Sequence, residues 1–152
     1  MYSTQVSRRI SAPRASIYSA LLSADAIARW RVPVGMTSVV HEFDAREGGA
    51  FRVSLTYDFS DGVGKSGFST DTYRGHFVRL VPDEQVVETL EFETGDESMR
   101  GIMTITTTLV DAGADTEVTM LHEGVPDAIP PADNEAGTRM ALDNLATLTE
   151  SP

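Results

Sequence analysis

The 152-residue chain contains no cysteine, which rules out disulfides and thiolate chemistry and suits a reducing cytoplasm. It has no apolar run near the roughly 20 residues that a membrane-spanning helix needs. The opening Met1-Tyr2-Ser3-Thr4-Gln5 lacks the charged start and apolar stretch of a secretory signal. These absences predict a soluble, cytoplasmic protein with no membrane insertion. Basic residues are scarce, 12 Lys plus Arg against 23 Asp plus Glu, for a formal net charge of -11. Such a balance repels phosphate backbones and anionic lipid surfaces at long range, which argues against nucleic acid as a partner.

Catalytic signatures are missing as well. No Gly-x-Ser-x-Gly elbow is present to activate a serine. His41, His76 and His122 show no close pairing on a strand or helix, so neither a metal nor another cofactor is expected. Gly62-Val63-Gly64-Lys65-Ser66 invites comparison with a phosphate loop. However, Phe59 stands where that motif needs a glycine, and strand residues follow where it needs a helix.

What remains is a pattern of strands and helices. Hydrophobic residues make up 41% of the chain, enough for one core in a single domain over residues 1–152. Val6–Ile10 reads as a first strand. Pro13 opens a helix whose stripe is Ile17, Tyr18, Leu21 and Leu22. Ser23 caps a second short helix carrying Ala26, Ile27 and Trp30, which Pro33 and Gly35 stop. Six further strands are predicted over Ser38–Arg46, Ala50–Phe59, Asp71–Val81, Val86–Glu93, Met99–Val110 and Thr116–Glu123.

The first two of these form a hairpin about Gly48-Gly49, and Ser60–Thr70 is a polar loop. Gly75 marks a candidate bulge. Asp133 is expected to cap a last helix running to about Thr149, with Ala136, Gly137, Met140, Ala141, Leu145 and Leu148 as its stripe. One long helix cannot cover both faces of seven strands. A twisted antiparallel sheet therefore curls around it and leaves a cavity between the two.

The residues Ile10-Ser11-Ala12-Pro13, Ala28-Arg29-Trp30 with Pro33, Glu42 to Arg52, Tyr73-Arg74-Gly75, Val81-Pro82, His122 to Pro126 and Glu135-Ala136-Gly137 occur in an order and spacing that carry a resemblance. The chain resembles the SRPBCC (START-like) superfamily, and within it the bacterial homologues of the activator of heat-shock protein 90 ATPase. The resemblance spans about Val6 to Leu148 and implies an α+β helix-grip fold. That fold is a curved seven-stranded antiparallel sheet wrapped around a long C-terminal helix, with two short helices after strand 1. The chain departs from the family's pattern where Arg31, Glu88, Leu90 and Thr138 stand in place of aromatic residues.

Strand parity then nominates the cavity wall. Phe51, Val53, Leu55 and Tyr57 share one face of their strand, and Val86, Glu88, Leu90 and Phe92 share one face of theirs. Val118, Met120 and His122 share a third. Glu88 is read as a semi-buried carboxylate, with pairing to an arginine such as Arg74 as the plainer alternative. His122 is read as a cavity histidine, or as a hydrogen-bonded anchor for the Gly124-Val125-Pro126 loop. Tyr73, Ile105 and Met140 complete the wall, and Met103 sits at the sheet–helix seam. The mouth is expected near Trp30–Gly35, Ser60–Thr70 and Val125–Pro131.

The function expected is binding of a small apolar or amphipathic molecule, such as a lipid, a polyketide-like compound or an aromatic metabolite. Glu88, His122 and Tyr57 would orient its polar end. The superfamily resemblance also implies two alternatives. One is a cyclase- or hydrolase-type enzyme using Glu88 and His122 as acid and base. The other is a co-chaperone-like interaction module. An edge-strand or loop-mediated homodimer is left open.

Overall fold

The computed structural model describes residues 1–57 and 70–150. Among these residues seven strands are present: β1 (Tyr2–Ile10), β2 (Met36–Phe43), β3 (Ala50–Tyr57), β4 (Thr70–Val81), β5 (Gln85–Phe92), β6 (Met103–Ala112) and β7 (Asp115–Val125). Three helices accompany them: α1 (Arg14–Leu21), α2 (Ala24–Trp30) and α3 (Pro131–Glu150). The strands form one antiparallel sheet in the order β1-β7-β6-β5-β4-β3-β2. Consecutive strands β2 to β7 are thus a meander, and β1 closes the far side against β7. Register shifts at Tyr2/Thr4, Val40/Glu42 and Phe77/Arg79 bend individual strands, and such irregularities help a sheet to curl. The helix-grip architecture expected from the sequence is the one observed.

Local chemistry explains the connections. In the β2–β3 turn Gly48 has φ +81°, a conformation that favours glycine. A Cβ on the neighbouring Gly49 would lie 1.9 Å from the Asp44 carbonyl. The turn is also tied to β4, since the Gly48 N–H donates to the Phe77 carbonyl at 2.7 Å and the Phe77 N–H to the Gly49 carbonyl at 2.9 Å. Ser23 caps α2, its hydroxyl accepting from the Ala26 N–H at 3.2 Å.

The core lies between the concave sheet and the helices. Ile10, Ile17, Trp30, Val53, Val86, Val118, Val125, Leu142 and Leu145 are all but inaccessible. Burying each large aliphatic side chain contributes about 1.5–3 kcal/mol. Thr116 is buried without strain because its hydroxyl donates to the Ala12 carbonyl at 2.7 Å, which pins the start of β7 to the turn after β1.

Several expectations are corrected. β1 starts at Tyr2 rather than Val6, because its first residues pair with the end of β7. β6 starts at Met103 rather than Met99, since Glu97–Met99 form a 3-10 turn capped by Asp96. α3 starts at Pro131, which puts Asp133 inside the first turn. Its buried residues are Thr138, Leu142, Leu145 and Ala146, so the inward stripe is rotated from the one predicted, and Ala136 and Gly137 are exposed. Gly75 is not a bulge; the irregularity falls at Phe77/Arg79. A Cβ at Gly75 would lie 1.9 Å from the Thr89 carbonyl, so the glycine answers a close approach of β5. The predicted Ser60–Thr70 loop, the Gly62–Ser66 segment and the end of the predicted Ala50–Phe59 strand lie outside the described residues, apart from Thr70, which opens β4.

Candidate functional site

The curl of the sheet leaves a cavity of about 450 Å³ beneath α3. Among the described residues its floor comes from the sheet: Leu55 on β3, Asp71 and Tyr73 on β4, Leu90 and Phe92 on β5, Met103 and Ile105 on β6, and Met120 and His122 on β7. Its roof is the first half of α3, through Asn134, Gly137, Thr138 and Ala141. Two segments flank it, Arg31–Pro33 after α2 and Ala128–Pro130 before α3.

Seven of the thirteen residues expected along the cavity wall or at its mouth meet here. They are Leu55, Tyr73, Leu90 and Phe92, together with Ile105, Met120 and His122. The other six lie elsewhere. Trp30 is a core residue whose indole N–H donates to the Ala20 carbonyl at 3.0 Å, since it ends α2 facing α1. Phe51, Val53 and Glu88 border a second, much smaller void deeper in the core, next to Phe77. Tyr57 is half-buried beside Met36 at the end of β3. Met140 turns toward the segment after α2, its sulfur accepting from the Val34 N–H at 3.0 Å.

Arg31 joins the two spaces, because it lines both. Its guanidinium pairs with Glu88 at 2.5 Å, the Arg31 side chain being 17% exposed and that of Glu88 5%. The guanidinium carbon also lies 5.9 Å from the centre of the Tyr73 ring and 6.0 Å from that of Trp30. Burial weighs against the Arg31 charge, but Glu88 and Tyr73 outweigh it and hold the guanidinium pKa above its ordinary value. The arginine expected to meet Glu88, Arg74, pairs instead with Glu91 at 3.3 Å on the outer face.

Tyr73 and His122 are the polar groups left over. Each is at least nine-tenths buried, and neither the Tyr73 hydroxyl nor the His122 Nδ1 has a hydrogen-bond partner among the described residues. Burial pushes the Tyr73 phenol up, with Arg31 opposing the shift and Glu88 adding to it. Burial, helped by the Arg31 charge, lowers the His122 pKa to about 4, so the imidazole is neutral near pH 7. Glu88 and His122 are not neighbours: each pairs across the ladder with Ile105 of β6, from opposite sides. Around His122, Thr4 on β1 donates to Asn134 of α3, and the Tyr2 hydroxyl donates to the Ile129 carbonyl at 2.5 Å.

Sequence reasoning did not nominate Arg31, Asp71, Asn134 or Thr138 for this wall. Arg31 and Asn134 sit at helix ends, where strand parity says nothing. Asp71 shares the face of Tyr73 at i, i+2, a signal present in the sequence but masked by its polarity. No helix among the described residues is long and apolar enough to cross a membrane.

The sequence pattern described as Activator of Hsp90 ATPase homolog 1-like protein matches residues 11–150. Among curated proteins no sequence matches the chain. Among solved structures, a protein from Chromobacterium violaceum is 32% identical with a TM-score of 0.89, over 99% of this chain and 99% of that one. A protein from Arthrobacter aurescens, at 13% identity, superposes with a TM-score of 0.82 over 99% of this chain and 87% of its own. DynU16, a protein in the dynemicin biosynthetic locus, shares the fold at 18% identity and a TM-score of 0.70, over 99% of this chain and 48% of its own. The chain therefore belongs to the Activator of Hsp90 ATPase homolog 1-like family, a branch of the SRPBCC superfamily.

Proposed function

We propose that the protein binds a small, largely apolar molecule in the cavity between the sheet and α3. One observation carries this reading: a space of about 450 Å³, walled mainly by apolar residues, is also lined by two residues, Tyr73 and His122, with buried polar atoms that have no partner among the described residues. That volume falls in the range of roughly 300–1,000 Å³ common to ligand sites, and a mostly apolar wall with a few placed polar groups is their usual composition. Met99, Met103 and Met120 give the wall a deformable surface suited to guests of varied outline. The acid–base alternative gains no support, since Glu88 is engaged by Arg31 beside the smaller void and His122 stands across β6 from it.

The test is native mass spectrometry of the protein as purified, with and without denaturation, followed by extraction of whatever is released. A released small molecule, absent from protein carrying Leu90→Trp, is the expected result. Leu90 faces the cavity and is 5% exposed, so an indole there fills space rather than displacing core. A molecule retained equally by the Leu90→Trp protein would place the site elsewhere.

A further inference from the structure

We infer that the guest is uncharged and carries a hydroxyl or carbonyl oxygen, so that fatty-acid-like carboxylates and phosphate esters are not its class. The inference rests on reading the cavity as a binding site and goes beyond it by choosing among ligand chemistries.

Two observations carry it. The first concerns hydrogen bonds. Tyr73 on β4 and His122 on β7 both line the cavity, and the buried hydroxyl of one and the buried Nδ1 of the other are without partners among the described residues. A purely apolar guest would leave both unsatisfied, and buried polar groups are rarely left so. A guest oxygen that reaches either group gains affinity by supplying the missing bond. β5 and β6 lie between the two strands, so the two groups address different parts of a guest.

The second concerns charge. Arg31 is the only Lys or Arg among the described lining residues, and its guanidinium is already matched by Glu88 at 2.5 Å. His122 is neutral near pH 7. Asp133 contributes a carboxylate to the wall. Among the described lining residues no free cation would meet a carboxylate or phosphate desolvated in this space, which is strongly unfavourable. A neutral oxygen meets no such penalty: the phenol donates or accepts, and a neutral imidazole offers one donor and one acceptor.

Three probes of one ring size separate the possibilities at pH 7: 1-naphthol, 1-methylnaphthalene and 1-naphthoate, titrated into the full chain by calorimetry. The expected order is naphthol tightest, methylnaphthalene weaker by about tenfold, and naphthoate weakest, since a single hydrogen bond is worth roughly that factor. At least one of Tyr73→Phe and His122→Phe should reduce naphthol binding by about tenfold while leaving methylnaphthalene unchanged. Naphthoate binding as tightly as naphthol would overturn the inference and leave the binding-site reading standing. So would equal naphthol and methylnaphthalene affinities, unchanged in both variants. If none of the three binds, the binding-site reading falls, and this inference falls with it. The wild-type order is itself decisive should either variant fail to fold.

Discussion

Arg31 and Glu88, 57 positions apart in the chain, meet as a 2.5 Å ion pair at the boundary between the ligand-sized cavity and the core. The family resemblance implies aromatic residues at both positions, and the fold brings these two departures together as one structural feature. Arg31 lines both the cavity and the smaller void, and Glu88 lines the smaller void only.

Removing one member of this pair should be far more damaging than removing both. Glu88→Leu leaves a buried guanidinium uncompensated and is expected to lower stability by on the order of 3 kcal/mol. The double variant Arg31→Met, Glu88→Leu should recover most of that loss. Urea unfolding of the wild type and the single and double variants measures this. Additive losses would show that the two charges are not coupled.

Acid stability should report His122. Its pKa falls from 6.5 in the unfolded chain to about 4 in the fold, so above pH 6.5 it contributes no pH dependence. As pH drops from 6.5 towards 4 the unfolded state takes up a proton that the folded state refuses. Stability therefore falls, by about 3 kcal/mol in total from this group. Stability curves for the wild type and His122→Gln should diverge through that window and run parallel above it.

Two glycines should respond oppositely to alanine. A methyl at Gly75 meets the Thr89 carbonyl at 1.9 Å and the Leu90 Cα at 2.8 Å, so Gly75→Ala must push β4 and β5 apart. A loss of at least about 3 kcal/mol is expected. A methyl at Gly137 meets nothing within 4 Å, and alanine is the better helix former. Gly137→Ala should raise stability by roughly 0.5–1 kcal/mol. Thermal unfolding of the two variants checks both signs.

The wall formed by the segment after α2 depends on Asn144. Its side-chain amide donates to the Trp30 carbonyl at 3.2 Å and the Val32 carbonyl at 3.1 Å, and so ties α3 to Arg31–Pro33. Asn144→Ala should cost about 1–2 kcal/mol. It should also speed amide exchange in residues 31–35 more than in β6. Uniform exchange across both regions would remove Asn144 from this role.

Strand parity was the most legible signal. The inward faces of Glu88, Leu90, Met120 and His122 follow from a period of two, and all four are buried or line a cavity. A half-exposed strand must alternate if its apolar side is to face the core. The face of α3 was less legible. Its small and polar residues Ala136, Gly137 and Thr138 leave several rotations nearly equivalent, and contact with β1, α1 and α2 decides among them. Trp30, expected at the cavity mouth, is instead a core residue whose N–H is satisfied by Ala20 within the helical pair.

The order of strands and helices, the curled sheet around a last helix and the side of each strand that faces inward were set by the sequence alone, because they depend on periodicity and turn chemistry within a few residues. Which inward residues share one space was decided by the tertiary structure. The ladder register puts Ile105 between Glu88 and His122, and the end of α2 carries Arg31 onto Glu88 and Tyr73. Those contacts join residues distant in the chain, and no local pattern encodes a distance between two faces that meet only when the sheet has closed.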